Sequence, residues 1–163
     1  MKYLYKNTQD IQKANCKFQI KKFTPEIFGK KIIKGENLSF KAKLVRNFFV
    51  LFSKGKMCIY YAVDENGTIM HTSQVLPKFY KFGYMQKGDH VIGPCVTRPE
   101  FRGKGIYPCV LKHILNQLKP STVYMVVDET NLSSIKGIEK AGFIRCGIVK
   151  KTKFLKKYYL VKE

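Results

Sequence analysis

Apolar and polar positions recur along this chain with different periods, and the period assigns the elements. Residues 17–23, KFQIKKF, can form a first strand. From 37 to 53, NLSFKAKLVRNFFVLFS, the residues Leu44, Val45, Phe48, Phe49 and Phe52 fall at helical spacing, with Asn37 as the expected N-cap. MCIYYAV (57–63) and TIMHTSQVL flank DENG, and Asn66-Gly67 inside that link predicts a hairpin. Residues 77–88, PKFYKFGYMQKG, read as a loop punctuated by Pro and Gly, and 89–97, DHVIGPCVT, as a strand. IYPCVLKHILNQLK is helical, with Val110, Leu111, Ile114 and Leu115 on one side. Pro108 suits its first turn, where a missing N–H costs nothing. STVYMVVD reads as a short buried strand, and 131–141 as a helix starting at Asn131 and closed by Gly142. Strands at 143–150 and 152–161 complete the pattern. The order is that of a mixed α/β (α+β) domain with one internal βαβ crossover.

Composition narrows this picture. The 163 residues, 45% of them hydrophobic, suffice for one domain with its own core. No apolar run approaches the roughly 20 residues of a membrane span, and MKYLYKNTQD turns polar too early for a signal peptide. A soluble, cytoplasmic protein is the expectation. The five cysteines (16, 58, 95, 109, 146) are odd in number and lack CxxC spacing, so reduced, mostly buried thiols are expected, with no zinc or other metal site. The formal net charge of +20 calls for an anionic partner: nucleic acid, a membrane surface or a phosphorylated small molecule. Yet arginine occurs only at 46, 98, 102 and 145, which argues against a nucleic-acid reader, because forked arginine contacts are the commonest way to read guanine.

Chemistry concentrates in VIGPCVTRPEFRGKGIYPCV, residues 91–110. Gly93-Pro94 weakens a strand ladder and predicts a bulge or splay that leaves backbone groups free for an extended ligand. Pro99 helps to end the strand at Arg98. Gly103 and Gly105 free the backbone to turn tightly, and the next helix begins at once with unpaired N–H groups and a partial positive charge. Arg102 and Lys104 add full charges. The stretch reads as a cradle for phosphate or pyrophosphate, or as an ordinary basic turn. It is neither a P-loop nor a dinucleotide fingerprint, since no Ser or Thr follows Lys104 and Pro108 stands where a third glycine would be needed.

Residues 96–106, VTRPEFRGKGI, resemble the acetyl-CoA loop of the GCN5-related N-acetyltransferases, whose pattern is Q/R-x-x-G-x-G/A. Arg102 and Gly105 fit it, and Tyr107 stands where Gly or Ala is the rule. NLSSIKGIEKAGF resembles that family's later motif through Asn131, Ser134, Lys140, Gly142 and Phe143. The likeness covers about 85 to 161. It implies a single acyltransferase-like domain over 1–163, with 1–85 on the acceptor side and 86–163 binding acetyl-CoA. The sheet is then mixed, mostly antiparallel and splayed at one strand, with flanking helices. Backbone groups of Cys95, Val96 and Thr97 then run beside pantetheine and the acetyl group. The turn from Arg102 through Gly103, Lys104, Gly105 and Ile106 to Tyr107 and Pro108 holds pyrophosphate. Asn131 touches the pantetheine arm, and Ser133, Ser134 and Lys140 lie near the CoA tail.

Direct acetyl transfer calls for a base and a polarised carbonyl, with an acid to protonate a leaving thiolate that can otherwise depart unassisted or through water. The family's usual tyrosine, seven residues after the motif asparagine, is replaced here by Ile138, expected in the core. Tyr107 is the substitute acid and Ser133 and Ser134 are alternatives. His71 is the favoured base, with Asp128 as the alternative, and His71, Thr72 and Ser73 are expected to face the acceptor. Cys95 is read as packing, and Asp89, His90 and His113 as surface. The expected acceptor is a small amine (or a hydroxyl), anionic, with an amino sugar or a phosphorylated sugar conjugate as the leading class and the aromatic loop at 78–85 able to stack on a sugar. The oligomeric expectation is monomer or homodimer. The rival readings are a weak or inactive module of the same fold that binds nucleic acid or another polyanion, a protein N-terminal or lysine acetyltransferase, and transfer from a longer acyl-CoA.

Overall fold

In the computed structural model, residues 1–7, 14–26, 40–154 and 157–161 are described. Eight strands form one sheet in the order β2-β3-β4-β5-β6-β1-β7-β8. The strands are β1 (Lys2–Asn7), β2 (Gln19–Phe23), β3 (Cys58–Val63), β4 (Ile69–Pro77), β5 (His90–Thr97), β6 (Val123–Asp128), β7 (Phe143–Lys151) and β8 (Tyr158–Val161). All neighbours are antiparallel except β5 and β6. That parallel pair is joined by helix α2 (Ile106–Gln117), the expected βαβ crossover. Helices α1 (Phe40–Phe52) and α3 (Leu132–Lys140) complete the described elements.

The two sheet faces carry separate cores because strand side chains alternate. Along β3, Cys58, Tyr60 and Ala62 join the core under α2 and α3, with Val110, Leu111, Ile114 and Ile138. Ile59 and Val63 point the other way, toward Val50 of α1 and toward Phe79, Phe82 and Met85 of the 78–89 loop. Ile138 is 1% exposed, so it is core as expected.

Several expectations need correction. No strand is expected at the N-terminus, yet β1 lies between β6 and β7, with Leu4 and Tyr5 buried. Its lysines disguise it: Lys2 reaches Asp128, and the Tyr5 hydroxyl donates to Glu139 at 2.9 Å. The last strand is shorter than 152–161, because Thr152 closes a turn on Lys157 through both backbone and side chain. Cys16 and Cys109 form a disulfide, with Cα atoms 6.0 Å apart across 93 residues, where reduced thiols are expected. An odd count with no CxxC spacing excludes a framework but not one distant pair that the fold brings together. The bond also removes the cysteines as support for a reducing compartment. Asp89 is buried, with its carboxylate accepting from the Gln86 N–H, and His90 and His113 are half-buried, so none of the three is simple surface. Asn37 lies outside the described residues.

Candidate active site

β5 pairs with β6 only from His90 to Ile92, then leaves it. On its other side, Val75 pairs with Ile92 and Ser73 with Cys95, so β5 carries an extra residue at Gly93-Pro94. This is the expected bulge and splay. Beyond it, Cys95, Val96 and Thr97 are laddered to β4 alone, and Val96 is 57% exposed. The edge of β5 facing β6 therefore presents main-chain donors and acceptors to an extended ligand.

The basic turn follows directly. The Arg98 N–H donates to the Met70 carbonyl, Pro99–Phe101 make one 3-10 turn, and Arg102 Nε donates to the Thr97 carbonyl at 3.2 Å. Gly103 and Gly105 have φ of 76° and 72°, in the left-handed region that other residues avoid. No atom lies within 4 Å of where a Cβ would stand at either position, so the conformation alone requires glycine. Among the described residues, the N–H groups of Gly103, Lys104 and Gly105 meet no acceptor. With the start of α2 at Ile106 they form a positively polarised concavity, flanked by exposed Arg102 and Lys104. Pro108 sits in the first turn of α2, as expected.

Beneath the splay lies a chain of polar side chains. His71, 1% exposed, has Nδ1 2.7 Å from Thr97 Oγ1 and Nε2 2.7 Å from Ser73 Oγ. Ser73, fully buried, donates its hydroxyl to Cys95 Sγ at 3.2 Å. That donation fixes the direction of the rest. Nε2–H donates to Ser73, and Nδ1 accepts from the Thr97 hydroxyl. Tyr107 also hydrogen-bonds Cys95, and its ring lies 5.5 Å from the His71 ring. Burial pushes His71 down to about 4, so it is neutral at pH 7 and able to take a proton. Burial pushes the Cys95 thiol up to about 11, against the pull of Ser73 and Tyr107, so it is no nucleophile at neutral pH. Tyr107 is likewise raised by burial and by its contact with Cys95.

The other expected residues are placed as follows. Thr72, between His71 and Ser73, turns to the opposite face of β4. Asp128 is half-buried at the end of β6. Its carboxylate takes Lys2 Nζ at 3.1 Å and the Thr130 hydroxyl at 3.1 Å, and these contacts hold it below the usual carboxylate range. Asn131 caps α3: its Oδ1 accepts from the Ser134 N–H and the Ser133 hydroxyl. Lys140 is exposed in the last turn, at the far end of α3 from Asn131. Phe79, Phe82 and Met85 of the aromatic loop are buried in the α1-side core and cannot stack on a sugar at this site. What the sequence reading missed is the pairing. His71 and Ser73 on β4, and Cys95 and Thr97 on β5, are two residues apart and share one face, which strand alternation would have signalled. Gly137 was missed as well: a Cβ there would stand 2.5 Å from Cδ1 of Tyr107, so the glycine makes room for that ring.

No family model and no curated protein sequence matches the chain. Solved structures do. A GNAT-family acetyltransferase from Colwellia psychrerythraea superposes with a TM-score of 0.59 at 13% identity, over 88% of this chain and 52% of that one. Glucosamine-6-phosphate N-acetyltransferase from Arabidopsis thaliana gives 0.54 at 21% identity, over 83% and 99%. AAC(6′)-Ib, solved with ribostamycin and coenzyme A, gives 0.52 at 19% identity, over 68% and 64%. The chain spans about half the length of the first of these structures, 52%. A splayed β5–β6 pair, a glycine turn opening α2 and a mostly antiparallel sheet, superposed on these proteins across most of the chain, establish that it has the fold of the GCN5-related N-acetyltransferases.

Proposed function

We propose that this chain transfers an acyl group, in the first instance acetyl, from acetyl-CoA directly to an amine. The observation that carries this is the adjacency of the open β5 edge and the glycine turn, which together suit a long ligand ending in a pyrophosphate. The residues present fit that ligand: two glycines in left-handed conformation leave unpartnered N–H groups at a helix start, between Arg102 and Lys104. Arg102 to Pro108 would hold the pyrophosphate, and the main chain of Cys95, Val96 and Thr97 the pantetheine. When bound, acetyl-CoA supplies the activated thioester. The chain's own residues supply position and a proton route. Thr97, half-buried at the mouth, relays a proton from the acceptor to the neutral His71, whose other nitrogen is pinned by Ser73. Tyr107 and Cys95 lie at the other end of that chain and supply the acid side. Residues 86–163, completed by β1, are the donor half, and the rest of 1–85 the acceptor side.

The acceptor is read as a small anionic amine, an amino sugar or its phosphorylated conjugate being the leading class. The net charge of +20 supports the anion, and one protein of the same fold is named for glucosamine-6-phosphate while another is solved with ribostamycin. The test is thermal and calorimetric. Acetyl-CoA raises the melting temperature, and a panel of amines and amino sugars then releases free thiol. A millimolar excess of acetyl-CoA giving neither shift nor heat overturns the reading.

A further inference from the structure

Across the sheet from the glycine turn, α1 is apolar on more than its core-facing side. Val50 and Phe49 pack inward with Met57 and Ile59. The stripe beside them faces out: Leu44 is 53% and Leu51 58% exposed, and Phe48 and Phe52 are exposed with ring centroids 4.3 Å apart. The stripe continues onto the loop, where Tyr80 meets Phe52 at 5.5 Å, and onto Phe154, which is 92% exposed. Between them runs an open groove of about 570 Å³ lined by Leu44, Val45, Phe48, Tyr80 and Phe154.

Among the described residues that build this patch, the charge has one sign. No Asp or Glu occurs in residues 40–63, 77–88 or 140–162, the segments that build it. Lys43, Lys54, Lys56, Lys151 and Lys153 are all exposed there. A second copy is a poor occupant, since both molecules would bring the same cations. Nucleic acid is a poor one too. Leu44, Val45 and Leu51 offer no stacking face, and the cations are lysines in place of forked arginines. We propose that this face docks on an anionic lipid bilayer, with α1 lying in the interface, its leucines and phenylalanines among the acyl chains and its lysines against the headgroups. The polar chain lies on the opposite sheet face, and the glycine turn beside it is exposed. The proposal stands independently of the acyl-transfer reading.

The test uses the whole chain and vesicles of phosphatidylcholine, alone or mixed with phosphatidylglycerol. The chain sediments with the mixed vesicles and not with the neutral ones. The double substitution Leu44→Ser/Leu51→Ser weakens that binding by about tenfold or more. Because the chain has no tryptophan, Leu51→Trp is a unique reporter, and its emission shifts to the blue on mixed vesicles. Gln117→Trp, exposed on α2 across the sheet, shows no shift. Failure to bind mixed vesicles overturns the proposal. So does undiminished binding by the serine variant, which would mean charge alone. Equal shifts at 51 and 117, or random RNA displacing the vesicles, also overturn it. Should the serine variant fold poorly, the tryptophan pair decides.

Discussion

The two faces of the sheet each carry an apolar core but are finished differently. On the α2–α3 face, His71 and Ser73 are buried, and each member of the chain through Thr97, His71, Ser73, Cys95 and Tyr107 is tied to the next. On the α1 face, apolar side chains are left exposed around an open groove. Burying hydroxyls and an imidazole costs free energy unless every one is bonded, so such a chain persists only where each member is matched. Exposing leucine and phenylalanine carries a smaller penalty and demands no partner of fixed geometry. One face is specified atom by atom, the other only by its composition. Single substitutions should therefore act sharply on the first and diffusely on the second.

The largest effect is expected at His71. His71→Gln keeps a side chain that can bond Ser73 but takes no proton, so turnover should fall by about a hundredfold to a thousandfold, with the KM for acetyl-CoA little changed. The pH dependence distinguishes this from a packing role. In the folded chain His71 titrates at about 4, against about 6.5 when unfolded. Between those values the unfolded state binds more protons, so stability rises with pH across the window and is lost on going down through it, by about 3 kcal/mol from this group. The variant should lack that slope, read from urea midpoints at stepped pH, and the wild-type rate should hold to well below pH 6.5. An acid limb centred near 6.5 would mean that His71 is not sealed as described.

Gly105→Val comes next. At a φ of 72° a β-branched residue is strained, and relief requires the turn to move its unpartnered N–H groups. Acetyl-CoA affinity, by calorimetry, should drop by about tenfold to a hundredfold, while the fold survives. Unchanged affinity would break the assignment of the cradle.

The same contrast governs what the sequence discloses. The glycine turn is legible because only glycine tolerates its dihedrals, and Gly93-Pro94 because proline cannot sit in a regular ladder. Both leave residue-level marks. The helices and the crossover are legible from periodicity. β1 is not, because the lysines near its two ends, Lys2 and Lys6, make a central strand look polar until Asp128 is seen to accept one of them. The Cys16–Cys109 bond joins positions 93 residues apart, and no local spacing announces it. The polar chain sits between these extremes. His71, Ser73 and Thr97 are each visible, but their union depends on the β4–β5 register, where His71 pairs with Thr97, and a one-residue slip would scatter them.

Gly137 and Tyr107 test that union at the smallest scale. Tyr107 stands where the resembling family places glycine or alanine, and its ring lies against Gly137 on one side and near His71 on the other. A Cβ at 137 would approach Cδ1 to 2.5 Å and Cε1 to 2.8 Å, so Gly137→Ala must push the ring off its site and strain the Cys95 contact. The gain in helix propensity, about 1 kcal/mol, works against a steric cost of about 1–3 kcal/mol, and a net loss of roughly 1 kcal/mol is expected. Removing the ring should reverse the sign: in a Tyr107→Ala background the alanine has nothing to strike, and only the helical gain is left. The double-mutant cycle therefore gives a coupling close to the whole steric term. A cycle that closes to zero would mean the glycine is kept for some other reason. The ring would then be an ordinary surface aromatic beside the site, and the acid end of the polar chain would need another donor.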